Sequence, residues 1–327
     1  MIIGLHSYSI GDSDKYSLSA VIPGILSHGL FTAAVPIFMF TSGYLFYKNT
    51  ESIKDCLAKQ KRRIVSLVLP FFAWSTLYYM VYFVGNTVLG IEMANNVVTS
   101  PLGILTNIVF YRYGFHLWYM FHLITYVICA PVIFLVVCKK KLSIILLIVF
   151  TILSFLGWGS ISIEIMGTTR DLFHMNFFTY YFCGCLMGKH QEILYAIKQG
   201  IKKISVSILC IMYFGFGILG GLVYDGYITT FNKRCIVPLI AISCWAFLFK
   251  LCDEKIVNKT FPNISPMIIY GSHQLIGVLL GMIIQNLNLP SLVNYFLGII
   301  LTVICCCIAS RVIKFVKPIY WILSGNR

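Results

Sequence analysis

Two histidines stand where an ionisable side chain is costly. His273 lies about nine residues into the apolar run 264–286, and His6 lies in the opening stretch MIIGLHSYSI. An imidazole titrates near neutral pH and can take up and return a proton, and inside a membrane such a group marks function by default. His122 is deep in its run as well, six residues after His116, whereas His28, His116 and His174 stand at run ends and His190 in a polar stretch. Taken singly, each is better explained as a hydrogen-bonded packing residue. A second constellation is Lys59, Lys61, Arg62 and Arg63. Cations so crowded, with the arginine fork among them, suit phosphate oxygens, although the sidedness of a membrane protein accounts for them too. Most of the twelve cysteines sit inside apolar runs, as small buried hydrophobes do, and none has zinc-ligand spacing with histidines. No metal is expected.

The elements that must hold these residues are read from composition. The chain is 59% hydrophobic and 11% charged, against roughly 45–50% and 25% in soluble domains. That predicts an integral membrane protein. Residues 1–10 have neither the basic start nor the small-residue cleavage site of a secretory leader. Apolar runs fall at about 28–47, 64–84, 116–137, 143–158, 175–188, 204–224, 236–252, 264–286 and 291–313. With residues 1–10 as a tenth, the expected fold is all-α, a polytopic bundle of about ten transmembrane helices forming one domain over 1–327.

Charge gives the sidedness. The stretches 48–63, 139–141, 189–203, 250–259 and the tail from Arg311 carry 20 of the 25 Lys and Arg; Lys15, Arg112, Arg170, Lys233 and Arg234 fall on the other side. This split alternates through every loop, so the basic side and the C-terminus are expected in the cytoplasm. The net charge of +14 then follows membrane orientation, and no nucleic-acid partner is expected. The 11–27 stretch is expected as an outer loop. Ten helical residues rise only about 15 Å, so the first helix is expected to be cut short.

Four stretches in order, VPIFMFTSGYLFYK (35–48), KRRIVSLVLPFFAWSTLYY (61–79), FHLWYMFHLITYVICAPVI (115–133) and ISPMIIYGSHQLI (264–276), resemble the successive motifs of the acyltransferase-3 family, in its surface-polysaccharide O-acyltransferase subgroup. The resemblance runs from His6 to about residue 315. It implies a multi-pass bacterial plasma-membrane enzyme that takes an acyl group, commonly acetyl, from cytoplasmic acyl-CoA. The acceptor it implies is a hydroxyl of a surface glycan or of its lipid-linked precursor. His6, followed by Ser7, matches the family's first-helix histidine; the arginine the family places before it would precede Met1. Arg63 matches the first member of an Arg-x-x-Arg pair, and Ser66 stands at the second.

The resemblance assigns His6 as the transfer base and Lys59, Lys61, Arg62 and Arg63 to the CoA phosphates. His116, Trp118 and His273 fall toward the acceptor, Trp118 either packing at the outer interface or stacking on a sugar. Glu164, Arg170 and Asp171 are solvated loop charges or glycan contacts, and Gly43 is expected to permit close helix approach. Acyl-CoA is a donor substrate, with no cofactor held permanently. No soluble transfer domain is expected after the membrane domain, which leaves room for a separate extracytoplasmic partner. A small-solute transporter is the competing class.

Overall fold

A computed structural model of the chain describes residues 1–7, 18–90, 97–165, 168–223, 232–253, 264–287 and 289–325. The elements are α1 (Ile2–His6), α2 (Leu18–Gly24), α3 (Ala34–Tyr47), α4 (Ile53–Thr87), α5 (Pro101–Val109), α6 (Trp118–Ile128), α7 (Ala130–Val137) and α8 (Lys140–Leu156). There follow β1 (Ile161–Ile165), β2 (Thr168–Phe173), α9 (Met175–Lys189), α10 (Gln191–Lys202), α11 (Val206–Leu222), α12 (Val237–Asp253), α13 (Pro266–Gln285), α14 (Ser291–Phe315) and α15 (Lys317–Ser324). Among the described residues each apolar run read from the sequence is helical over most of its length.

Local chemistry sets the helix ends. Ser52 and Asp55 form a reciprocal capping box that starts α4. Gly157, with φ +77°, closes α8 in the left-handed region that only glycine enters freely. The run 116–137 breaks at Cys129, where α6 and α7 meet at 63° with Pro131 at the start of α7.

Among the described residues five helices are long and apolar enough to cross a membrane, and seven spans result if each of two bent pairs counts as one. Two sequence expectations are corrected. The 11–27 loop is helical from Leu18: α2 runs through a π-helical turn at Ile25–Gly29 and a 3₁₀ turn at Leu30–Ala33 into α3, so this span begins near Val21, not 28. Residues 8–17 of that loop lie outside the described residues. The helical bundle also carries one antiparallel hairpin, β1–β2, with Ser162 opposite Asp171 and Ile163 opposite Arg170.

Side-chain contacts gather the basic stretches at one end of the bundle. Lys189 Nζ donates to Thr50 O at 2.8 Å, Lys140 pairs with Glu192 at 2.9 Å, and Lys202 pairs with Asp253 at 3.0 Å. Trp321 and Gly325 line a cavity with Lys61 and Arg62. At the other end Arg170 Nε donates to Phe110 O at 3.3 Å and Arg234 Nη1 to Phe155 O at 3.4 Å. Lys15, Lys255 and Lys259 lie outside the described residues.

Between the ends, α3 and α9 pack at backbone contact. A Cβ on Gly43 would strike the Tyr181 carbonyl, one on Gly184 the Phe40 carbonyl, and one on Gly188 the Tyr44 carbonyl. Small residues thus serve as expected at Gly43, because helices in lipid associate by close packing. The outward surface is apolar: Ile144, Ile145, Ile148, Ile152 and Phe155 of α8 are all exposed. Such a face is tolerable only against hydrocarbon.

Candidate functional site

α13 is the ruler on which the site is built. Pro266, Met267 and Tyr270 line one hollow of about 270 Å³, together with Arg63, Ser42, Tyr119 and Ser265. His273, Gln274, Gly277, Gly281 and Gln285 line another, of about 460 Å³, together with His6, His28 and Thr302. The first hollow shares Leu45, Phe46 and Arg63 with the cavity of about 740 Å³ at the basic end, whose walls include Lys59, Lys61, Arg62 and Arg63. The second extends along α13 to Gln285, at the opposite end. One turn of α13, between Tyr270 and His273, separates the two systems.

Three histidines meet at that turn. The His273 ring lies 5.3 Å from His6 and 4.9 Å from His116, centroid to centroid. His116 and His273 are buried. Their tautomers are set by their partners. Gln274 Oε1 accepts the His116 backbone N–H at 3.2 Å, so the amide must present its oxygen there; the same oxygen meets His116 Nδ1 at 2.5 Å. Nδ1 therefore carries the proton, and Nε2 is a bare acceptor. His273 Nδ1 lies 2.7 Å from the Tyr270 carbonyl, which can only accept, so its Nε2 is bare too. Both Nε2 atoms are buried without a protein partner.

The surroundings hold this geometry. The Tyr78 hydroxyl accepts from Leu275 N–H at 2.9 Å and donates to Gly271 O at 3.0 Å. Tyr78 thus ties α4 to the α13 backbone on either side of His273 and Gln274. Tyr270 OH donates to the His116 carbonyl. On the other side, the five-residue α1 leaves carbonyls without intrahelical donors. Gly4 O accepts from Ser27 Oγ at 2.6 Å and from Tyr295 OH at 3.2 Å, fixing the helix that carries His6. Ser27 and the cavity-lining His28 both belong to the π-helical turn, a geometry common at functional sites.

At the basic end the four cations divide. Lys59 Nζ donates to Lys48 O and Thr50 Oγ1, each at 2.7 Å, and to Phe46 O and Asn49 O, each at 3.2 Å. It closes the C-terminal end of α3, where carbonyls lack partners. Lys61 and Arg62 are exposed, and Arg63 is half-buried where the first hollow meets the basic-end cavity.

The structure thus brings His6, His116 and His273 together and groups Lys59, Lys61, Arg62 and Arg63 around one cavity. Trp118 lies apart: it stacks on Phe177 at 4.6 Å and meets His122 edge-on at 5.8 Å, outside the His6 hollow. Arg170 lies over the Tyr111 ring, and Asp171 accepts from Ser162 Oγ at 2.6 Å. Among the described residues no group of three or more His, Cys, Asp or Glu side chains is placed to hold a metal ion. Sequence reasoning missed Gln274, Tyr78, Tyr270 and His28. The signal for Gln274 was present, an amide beside His273 in an otherwise apolar helix.

A family model described as an acyltransferase domain matches residues 1–311. No curated protein and no solved structure matches the chain.

Proposed function

We infer what this chain does from the fact that it belongs to the acyltransferase-3 family. It moves an acyl group, acetyl in the first instance, from acyl-CoA at the basic end to a hydroxyl of a surface glycan or its lipid-linked precursor at the other. It does so as one domain of about ten spans in the bacterial plasma membrane, basic end and C-terminus inside. Alone, or with a separate extracytoplasmic partner, it completes the transfer. The observation that carries this reading is the pair of hollows entering from opposite ends and stopping one turn of α13 apart.

Lys61, Arg62 and Arg63 meet the CoA phosphates, and Arg63 stands at the mouth of the inner hollow through which the thioester arm reaches Tyr270. The acceptor enters the outer hollow. His6 takes the hydroxyl proton as the oxygen attacks the thioester carbonyl, a contribution of roughly 10²–10⁴ in rate. His116, held by Gln274 and Tyr270, keeps the turn between the hollows in place.

The test is acyl transfer from labelled acetyl-CoA to glycan by purified protein in sealed vesicles, for wild type and His6→Ala. Transfer that needs acetyl-CoA on one side and glycan on the other, and that falls at least a hundredfold in the variant, supports the reading. Equal rates would end the role of His6. Solute uptake without acetyl-CoA consumption would make the protein a transporter.

A further inference from the structure

His273 has a bare, buried Nε2, stands between His6 and His116, and lines the hollow of the proposed acceptor. Packing alone does not explain this arrangement. A histidine placed only to fill space satisfies both nitrogens or turns one to water, because a buried polar atom without a partner costs free energy. Here one nitrogen is spent on fixing the tautomer and the other is left as an acceptor. The position on α13 matters as much. Tyr270, one turn earlier, borders the hollow of the donor, while His6 faces the hollow of the acceptor. His273 is the ionisable side chain of α13 between them.

We propose that His273 is a second catalytic residue, which receives from His6 the proton of the acceptor hydroxyl and delivers it to the sulfur of the departing thiol. The inference rests on the acyl-transfer reading above. The step balances. The acceptor O–H bond breaks and its proton passes to His6; the oxygen bonds to the thioester carbonyl carbon. The C–S bond breaks, and the electron pair goes to sulfur. His6 passes its proton to His273 Nε2, and because Nδ1 is held by the Tyr270 carbonyl, the same Nε2 hands it to the thiolate. Both imidazoles end neutral, ready for another cycle. Oxygen and sulfur are bonded to one carbon as the thiol departs, so the acid must stand close beside the base, and the His273 ring lies 5.3 Å from that of His6.

The discriminating variable is the leaving group. A thiolate of low basicity departs without a proton, so a residue that supplies one becomes dispensable. Transfer is measured for wild type, His273→Gln and His6→Ala with acetyl-CoA and with an acetyl aryl thioester, and binding of a non-cleavable acetyl-CoA analogue is measured alongside. His273→Gln is expected to lower acetyl-CoA transfer by about a hundredfold or more, to lower aryl thioester transfer by less than about tenfold, and to leave analogue affinity unchanged. His6→Ala is expected to lower both transfers alike. An equal fall on both donors in His273→Gln, a fall explained by lost analogue binding, or no fall at all would overturn the proposal while leaving the acyl-transfer reading intact. Wild-type protein that consumes neither donor would overturn that reading, and this inference with it.

Discussion

Tyr78 of α4 reaches into the backbone of α13, its hydroxyl standing between the Leu275 N–H and the Gly271 carbonyl. The two residues it joins to itself flank His273 and Gln274, so the orientation of both side chains depends on a group almost 200 positions earlier. Tyr78→Phe keeps the ring but removes the hydroxyl that ties Gly271 and Leu275 to α4. Transfer is expected to fall by about tenfold or more, while stability changes by only about 0.5–1.5 kcal/mol, the net worth of one hydrogen bond. Turnover and thermal melting of the purified variant check this; turnover within twofold of wild type contradicts it.

Gln274→Leu removes the acceptor of both His116 donors, Nδ1 and the backbone N–H. Two buried donors are left without partners, at about 1–3 kcal/mol each. A lower melting temperature and slower transfer are expected, with Gln274→Glu, which keeps a carboxylate oxygen in place, less destabilised than Gln274→Leu. Equal melting of all three proteins would remove the amide from the account.

Arg62→Gln with Arg63→Gln is expected to weaken acyl-CoA binding and to flatten its dependence on ionic strength, since exposed charges are screened by salt. His6→Ala should leave that affinity unchanged, because His6 lines the other hollow. Titration of CoA at two salt concentrations decides the matter.

Lys59→Met is expected to behave differently from its neighbours. Its ammonium bonds three carbonyls and one hydroxyl at the end of α3, so the loss should appear as instability of about 1.5–3 kcal/mol with CoA affinity little altered. A variant of normal melting temperature but weak CoA binding would return Lys59 to the phosphate site.

Cysteines introduced at positions 55, 140, 195 and 320 should be protected from an impermeant thiol reagent in intact cells, and those at 100 and 112 labelled. The background is a chain whose own cysteines are replaced. Labelling of 140 or 195 from outside would invert the sidedness and, with it, the assignment of donor and acceptor hollows.

The parts of this site that sequence revealed are those carrying a penalty in an apolar setting. His6, His273 and the 59–63 cations stand out because lipid tolerates few ionisable groups. Gln274 and Tyr78 did not stand out. Their meaning lies in contacts to His116 and to the α13 backbone, made across 158 and 197 positions. Lys59 was indistinguishable from Arg62 by type and spacing, and only the turn after α3 brings carbonyls to it. The helix from Leu18 was hidden because Pro23, Gly24 and Ser27 read as a loop. In the fold, Ser27 bonds Gly4 O and Gly29 packs on the Gly217 carbonyl, contacts that a local reading of turn formers cannot contain.

The single turn of α13 between Tyr270 and His273 has an electrical consequence. Three residues of helix rise about 4.5 Å, whereas the hydrocarbon core of a bilayer is about 30 Å thick. Where water and ions fill both hollows, most of that thickness is shorted and a membrane voltage drops chiefly across this one turn. A unit charge that crosses it does so against or with about 2.3 kcal/mol per 100 mV. A proton carried from His6 through His273 toward the basic end travels along that drop. With the basic end inside, the proton that goes in is matched by the acetyl group that comes out, so each cycle moves no net charge: a resting potential acts on the proton step alone and leaves the overall equilibrium where it was.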